Sequence, residues 1–187
     1  MYRKILLRRR LLQGFSDDCV IYVPFIGDGD IAVSLYSGMK IYGADIIGGR
    51  AETARDRLPS ANIKRADCNF WPFPEVKEKF EIADFDAYSY PYASFVSFWM
   101  FAEKADEVAL FFTDGTRQAI KRSGRWHKPN GKKEVVEDLA ERRKLFNFYL
   151  PRFILPWFRE FIEPYELVRI SKYVRESMIY WGAVVKK

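Results

Sequence analysis

The fold is decided by residues 20–45, which read VIYVPFIGDGDIAVSLYSGMKIYGAD. An apolar run at residues 20–25 predicts a strand, and residues 31–36 have the composition of a short helix. A second strand follows at residues 40–44, and Asp45 closes it. The order strand, glycine loop, helix, strand and acid is the order in which a doubly wound α/β sheet builds a nucleotide site.

The loop between these strands contains Gly27 and Gly29, which allow the backbone to come close to a ligand. The helix that follows directs its free backbone N–H groups toward the same place. A carboxylate at the end of the second strand can accept hydrogen bonds from ribose hydroxyls, and Asp45 has that position. Glycines can also serve only a tight turn, so the prediction depends on the strand context and the trailing acid.

Strand and helix patterns alternate along the rest of the chain. Further strands are predicted at residues 62–66, 80–85, 107–112, 165–170 and 178–185. Helices are predicted at residues 1–15, 49–58, 92–104 and 133–161, and a basic loop at residues 116–133. The connection between the last two strands is too short for a parallel crossover. The predicted fold class is therefore α/β: a Rossmann-like doubly wound sheet, mostly parallel with a C-terminal antiparallel hairpin, as a single domain over residues 1–187.

The composition is that of a globular protein of 187 residues with a net charge of +6. No apolar run is long enough to span a membrane, and the basic N-terminal segment lacks the apolar core of a signal peptide. We therefore expect a cytoplasmic protein without membrane association. Cys19 and Cys68 are predicted to be free thiols. With His127 as the only histidine, no metal site of the usual ligand spacing is predicted.

The positive charge is concentrated in two segments without acids, residues 1–16 and 115–133. Together they hold twelve of the 31 Lys and Arg residues, and the remainder of the chain is net negative. This distribution is typical of a protein that contacts a polyanion such as RNA, although a solvated basic face has the same pattern. The predicted RNA contacts are Arg8, Arg9, Arg10, Arg125, Lys128, Lys132 and Lys133.

Several motifs resemble class I S-adenosylmethionine-dependent methyltransferases, a family whose last strand also enters the sheet antiparallel. Residues 24–29, PFIGDG, are similar to the P-F-x-G-x-G loop of amino-methyltransferases that act on nucleic-acid bases. Asp45 and Asp67 match the acids that follow the second and third strands of the family. Residues 84–91, DFDAYSYP, resemble the D-x-D-P-F-G-S-P motif of tRNA guanine-N2 dimethyltransferases.

The resemblance implies S-adenosylmethionine as the cofactor and an RNA base amino group, of the guanine-N2 kind, as the methyl acceptor. It also implies that tRNA is among the candidate partners. The residues that it assigns to the cofactor are Phe25, Gly27, Asp28, Gly29, Asp45, Ile46, Asp67, Cys68 and Asp84. The chain departs from the family pattern at Val23, where an acid is usual, at Asp30, where a small residue is usual, and at Ala87, where proline is usual.

The chemistry predicted for the turn after the fourth strand depends on Asp86 and Tyr88. An exocyclic amine must be held with its lone pair facing the methyl group, with the reacting atoms about 3–3.5 Å apart. A carboxylate can accept the amine N–H and take its proton, a role assigned to Asp86, with Asp84 as the second choice. An aromatic ring can stack on any base, a role assigned to Tyr88. The alternative for both residues is an ordinary turn.

Two other functions remain open from the sequence. A methyltransferase that acts on a small molecule or a protein would make the two basic segments incidental. A non-catalytic protein of the same fold would bind RNA or a partner protein through residues 8–10 and 125–133, and the departures at Val23 and Ala87 favour this alternative.

Overall fold

Nine strands form in the computed structural model, which describes residues 2–129 and 131–187. They are β1 (Val20–Pro24), β2 (Lys40–Asp45), β3 (Asn62–Arg65), β4 (Phe80–Phe85), β5 (Lys104–Asp114), β6 (Arg125–His127), β7 (Lys133–Val135), β8 (Glu166–Arg175) and β9 (Met178–Lys186). Seven of them pair in one sheet of order β3-β2-β1-β4-β5-β9-β8, and β6 pairs with β7. Strands β1 to β5 are parallel, whereas β9 is antiparallel to β5 and β8. The predicted single-domain fold class is confirmed.

Helices cover both faces of this sheet. They are α1 (Tyr2–Leu11), α2 (Asp30–Leu35), α3 (Gly48–Arg57), α4 (Tyr92–Phe101), α5 (Thr116–Ser123), α6 (Leu139–Tyr149) and α7 (Leu155–Phe161), with a π-helical segment, Leu150–Ile154, joining α6 to α7. One apolar core contains side chains of α1, α2 and α3, and the other contains side chains of α4 to α7. Among the described residues, no helix is both long enough and apolar enough to cross a membrane.

Each central strand contributes to both cores because successive residues of a strand point to opposite faces of the sheet. In β1, Ile21 and Val23 pack in the core that contains α1, α2 and α3. Tyr22, between them, points to the other core, where its ring stacks on Phe98 with 5.5 Å between the centroids. This alternation fixes which side chains of β1 face each core, and so fixes the position of the glycine loop that follows the carboxyl end of β1.

The basic segment 116–133 differs from the prediction of a loop. It forms α5, which buries Ile120, and then β6, which buries Trp126. The helix predicted to begin at Lys133 begins at Leu139 instead, because the Asp138 carboxylate caps it by accepting a hydrogen bond of 2.8 Å from the Glu141 N–H. Residues 133–135 pair with β6 as β7.

Three other predicted boundaries are also wrong. The helix predicted at residues 1–15 ends at Leu11. The helix predicted at residues 92–104 ends at Phe101, and β5 begins at Lys104. The connection predicted at residues 171–177 is mostly strand, since β8 continues to Arg175 and only Glu176 and Ser177 separate it from β9. The predicted antiparallel pairing of the hairpin is confirmed.

Candidate functional site

A cleft of about 600 Å³ opens at the carboxyl ends of β1, β2 and β4. Its walls come from the glycine loop, the start of α2, the end of β2 and the turn after β4, together with Lys4 of α1. This is the edge at which open α/β sheets bind their ligands, and the volume is in the range of small-molecule sites.

The glycine loop is wound tightly where it borders the cleft. Gly27 has a φ of 56°, and Phe25 has a φ of 58°, a left-handed conformation that non-glycine residues rarely adopt. The Phe25 N–H donates to the Cys68 sulfur at 3.4 Å. Ile26 of the loop packs against β2 at Gly43, where a larger residue would not fit because its Cβ atom would lie 2.6 Å from the Ile26 side chain. The loop conformation is therefore supported from the neighbouring strands.

The Asp45 carboxylate holds the same loop from the end of β2. One oxygen accepts a hydrogen bond of 3.0 Å from the Gly27 N–H, and the other accepts one of 2.8 Å from the Ile47 N–H. Asp45 is buried but borders the cleft. Because a carboxylate has about four acceptor positions, two of them remain for ligand hydroxyls.

Not all of the residues assigned to the cofactor come together. Phe25, Gly27, Asp28, Asp45, Ile46 and Asp84 border the cleft, whereas Gly29, Asp67 and Cys68 do not. Gly29 has a φ of 82° and caps the start of α2, and a Cβ atom there would lie 3.6 Å from Ala54 of α3, so Gly29 serves the turn into α2. Asp67 is exposed and accepts a hydrogen bond of 2.9 Å from the Asn69 N–H of its own turn.

Cys68 lies beneath the glycine loop. Its thiol donates to the Ala44 carbonyl at 3.4 Å, in addition to accepting from Phe25. Burial raises the pKa of this thiol to about 12. Cys68 is therefore a neutral support for the loop, and the prediction of ligand contact at Cys68 is replaced by this structural role.

The turn after β4 places Asp86 and Tyr88 at the cleft. The Asp86 carboxylate accepts a hydrogen bond from the Thr113 hydroxyl and pairs with the Lys4 ammonium. The Tyr88 side chain is 90% exposed at the opening. The turn is held against Gly115, whose N–H donates to the Ser89 carbonyl at 2.7 Å.

Asp84 has a different environment from the one predicted. Its two oxygens accept hydrogen bonds of 2.6 Å each from Arg8, and one of them also accepts a bond of 2.8 Å from the Tyr36 hydroxyl. Burial, and then the charge of Asp84, raise the pKa of Tyr36, which therefore remains a donor. Because Asp84 is completely buried and three of its about four acceptor positions are taken by Arg8 and Tyr36, it anchors α1 to the sheet, which replaces its predicted roles as a catalytic acid and a cofactor contact.

The prediction that Arg8 contacts RNA is wrong, because Arg8 is 1% exposed. Burial alone would lower the pKa of the Arg8 guanidinium, but the attraction of Asp84 raises it, so the guanidinium stays charged. The other predicted contacts differ in exposure. Arg9, Arg10, Arg125, Lys132 and Lys133 are exposed, and Lys128 is half-buried and paired with Glu134 at 2.5 Å.

Lys4, Thr113 and Tyr180 border the cleft and were not predicted from the sequence. The signal for Lys4 was present in α1, because Lys4, Leu7, Arg8 and Leu11 form one helical stripe. Leu7 and Leu11 are buried on that stripe. Two cations among buried leucines indicate buried partners of opposite charge.

The charges around the cleft are mostly negative. Five aspartates border it against only two cations; the aspartates are Asp28, Asp30, Asp45, Asp84 and Asp86, and the cations are Lys4 and Arg50. Three of these aspartates form ion pairs, Asp30 with Arg57, Asp84 with Arg8 and Asp86 with Lys4, so the lining offers a ligand hydrogen-bond acceptors rather than a large excess of negative charge. Within residues 2–129 and 131–187, no group of three or more His, Cys, Asp or Glu side chains is arranged to hold a metal ion.

Comparison with known proteins identifies the fold. The chain matches no family model, and no curated protein sequence matches it significantly. Among solved structures, TrmN from Thermus thermophilus aligns with a TM-score of 0.56 and 16% identity, over 98% of this chain and 48% of that one. The chain thus spans about half the length of TrmN.

Two further structures align over most of both chains. The N-methyltransferase NodS from Bradyrhizobium japonicum, in complex with S-adenosyl-L-homocysteine, gives a TM-score of 0.60 and 10% identity over 99% of this chain and 85% of NodS. An rRNA methylase from Streptococcus thermophilus aligns with a TM-score of 0.54 and 11% identity, over 97% of this chain and 94% of the methylase. The chain therefore has the class I fold of S-adenosylmethionine-dependent methyltransferases.

Proposed function

We propose that this chain is an S-adenosylmethionine-dependent methyltransferase that acts on an amino group of an RNA base. The observation that carries the proposal is the meeting of the glycine loop, Asp45 and the Asp86–Tyr88 turn around one cleft at the carboxyl ends of the strands. Structures with this fold include methyltransferases, one of them in complex with S-adenosyl-L-homocysteine.

The residues around the cleft fit this cofactor. The free acceptor positions of Asp45 suit the two ribose hydroxyls, and the exposed side chains of Ile46 and Ile47 offer an apolar surface for the adenine. The carboxylates of Asp28 and Asp45 on the cleft wall suit a ligand that carries a sulfonium and an ammonium group. When bound there, the cofactor supplies an electrophilic methyl group.

Asp86 and Tyr88 supply the acceptor side of the site. The Asp86 carboxylate can hold an exocyclic amine through an N–H hydrogen bond and accept its proton as positive charge develops. An incoming amine must compete with Lys4 for this carboxylate. The exposed Tyr88 ring at the opening offers a stacking surface for a base.

The proposal that the acceptor is RNA is supported by the exposed cations. Arg9 and Arg10 lie on α1, the same helix whose Lys4 borders the cleft, and Arg50 is an exposed cation in the cleft wall. Exposed Lys and Arg side chains can position an RNA backbone without reading its sequence.

The first test is calorimetric titration of the full chain with S-adenosylmethionine, S-adenosyl-L-homocysteine and NAD. We expect binding of the first two and not of NAD. Transfer of a labelled methyl group to mixed cellular RNA is then measured for the wild type, for Asp86→Asn and for the exposed-surface control Asp56→Asn. The expected result is loss of transfer in Asp86→Asn alone, with its cofactor affinity retained.

A non-catalytic RNA-binding protein is the second candidate, and the Lys4–Asp86 ion pair favours it because this pair covers the proposed amine-binding carboxylate. Binding of RNA without binding of S-adenosylmethionine would support this candidate and exclude the enzyme.

A further inference from the structure

The side chain of Lys4 ends at the place that the proposed function gives to the methyl acceptor. Its Nζ donates to the Asp86 carboxylate, and Lys4 borders the same cleft as Gly27, Asp28 and Asp45. The side chains of Lys4 and Asp86 are 19% and 20% exposed, so the amine is largely enclosed but opens into the cleft.

This position of Lys4 is fixed by the packing of α1. One turn further along the helix, Arg8 forms its two hydrogen bonds of 2.6 Å with Asp84, and both residues are almost completely buried. Arg8 also donates to the Lys4 carbonyl oxygen at 3.2 Å. Through Arg8, the backbone of Lys4 is therefore linked to Asp84 near the carboxyl end of β4. Asp86 lies just beyond this strand, two residues after Asp84.

We propose that Lys4 is a self-methylation site of this protein, which rests on the proposed function. The Lys4 ammonium passes one proton to the Asp86 carboxylate, which releases it to water, and the resulting lone pair of Nζ attacks the methyl carbon of S-adenosylmethionine. A C–N bond forms, the C–S bond breaks with its electron pair staying on sulfur, and S-adenosyl-L-homocysteine leaves. The product is a secondary ammonium of the same charge, still able to donate to Asp86.

The surroundings of Lys4 suit a methylated ammonium. Its Nζ lies 5.5 Å from the centroid of the Tyr180 ring, and Tyr180 also borders the cleft. Aromatic rings attract alkylated ammonium groups through cation–π interactions, which persist as N–H groups are replaced by methyl groups. The ion pairs of Lys40 with Glu78 and of Lys64 with Glu75 are more exposed and lie outside the cleft, so these lysines serve as internal controls.

The experiment incubates the full chain with S-adenosylmethionine that carries a trideuterated methyl group. Peptide mass spectrometry with fragmentation then locates the label. We expect the trideuteromethyl group on Nζ of Lys4 and not on Lys40 or Lys64. Labelling should disappear in Lys4→Arg, which keeps the positive charge beside Asp86, and persist in the matched control Lys40→Arg.

Two further measurements separate this proposal from a nonspecific reaction. The first-order rate of labelling should not change on tenfold dilution of the protein, because acceptor and cofactor site belong to one chain. Asp86→Asn should slow the labelling by on the order of a hundredfold, as expected for loss of a group that orients the amine and assists its proton transfer. A circular dichroism spectrum and a melting curve show that each variant is folded.

The outcomes also separate this proposal from the proposed function. If calorimetry detects S-adenosylmethionine binding but Lys4 stays unlabelled in the wild type, self-methylation is overturned while the methyltransferase proposal stands. Label on the α-amino group of Met1, or on Lys40 and Lys64 as much as on Lys4, overturns it too. Absence of any S-adenosylmethionine binding overturns both proposals.

Discussion

Arg8 and Asp84 form a buried ion pair with two hydrogen bonds of 2.6 Å, and neither side chain is more than 1% exposed. The pair joins α1 to the central strand β4 across 76 positions of the sequence. Tyr36 adds a third hydrogen bond to the same carboxylate. Because Lys4 lies on the same helix, this buried pair helps to hold Lys4 at the cleft beside Asp86.

Arg8→Ala is expected to lower the free energy of unfolding by about 3–5 kcal/mol, the usual result of leaving one buried charge without its partner. The control is Arg9→Ala, at an exposed position of α1, which should change the stability by no more than about 0.5 kcal/mol. Urea denaturation monitored by circular dichroism measures both. Equal stability of the two variants would show that the ion pair does not anchor α1.

Asp45→Ala is expected to weaken S-adenosylmethionine binding by roughly 1–3 kcal/mol, since it removes the hydroxyl acceptors and releases the Gly27 N–H. Titration calorimetry measures the change. Asp67→Ala is the matched control, because Asp67 is also an acid after a strand but lies outside the cleft. An unchanged affinity in Asp45→Ala would contradict the assignment of Asp45 to the ribose hydroxyls. A loss of affinity in Asp67→Ala would show that the cofactor site extends beyond the cleft to Asp67.

Replacing Arg9, Arg10, Arg125 and Lys133 together by Ala is expected to weaken binding of mixed RNA and to reduce its dependence on salt. Phosphate contacts release counterions, so each lost contact lowers the slope of log affinity against log salt by roughly 0.7–0.9. Filter binding at several salt concentrations measures the slope. The double variant Lys77→Ala, Lys79→Ala is a control for the loss of exposed positive charge elsewhere on the chain. An equal effect in this control would show that RNA binding depends on net charge and not on contacts at the four chosen residues.

Asp114→Asn is expected to change how stability depends on pH. Burial raises the pKa of Asp114 in the folded chain, despite hydrogen bonds of 2.5 Å from Tyr92 and 2.8 Å from the Thr116 N–H. A raised native pKa stabilises the fold below the ordinary aspartate pKa of about 3.9, and this contribution is lost as the pH rises through the native pKa.

Asparagine does not ionise, so the stability of Asp114→Asn relative to the wild type should increase as the pH rises from about 4 to neutrality. Urea denaturation at several pH values measures this difference. A difference that stays constant over the whole range would show that Asp114 titrates as it does in the unfolded chain.

The sheet was predictable because its strands are short apolar runs bounded by glycine, proline and acids. The pattern from Val20 to Asp45 contains its own turn chemistry, so β1, α2 and β2 appear within two residues of their predicted limits. The segment 116–133 was not predictable in the same way. Its structure depends on burying Ile120 and Trp126 against distant helices, while its sequence shows mainly charge.

The candidate site was predictable only in part, for a related reason. Gly27, Asp45, Asp86 and Tyr88 lie at or within three residues of a strand end, so the topology of a parallel sheet brings them to one edge. Lys4 and Arg8 contact Asp86 and Asp84, which are far from them in the sequence, so these contacts could not be predicted. Counting the charges of a segment also does not distinguish a buried arginine from an exposed one. Only the leucines that share the α1 stripe distinguish Arg8 from Arg9.

The position of β9 between β5 and β8 has a consequence for folding kinetics. The edge of β5 that faces away from β4 pairs with β9, which follows in the sequence only after α5 to α7 and β8. This edge of β5 therefore stays unpaired until β9 adds to the sheet. Only then does Trp181 stack on Phe112, with 4.2 Å between the ring centroids. Because such non-local pairing slows folding, the chain is expected to pass through a species whose β5 edge is open to association with other chains.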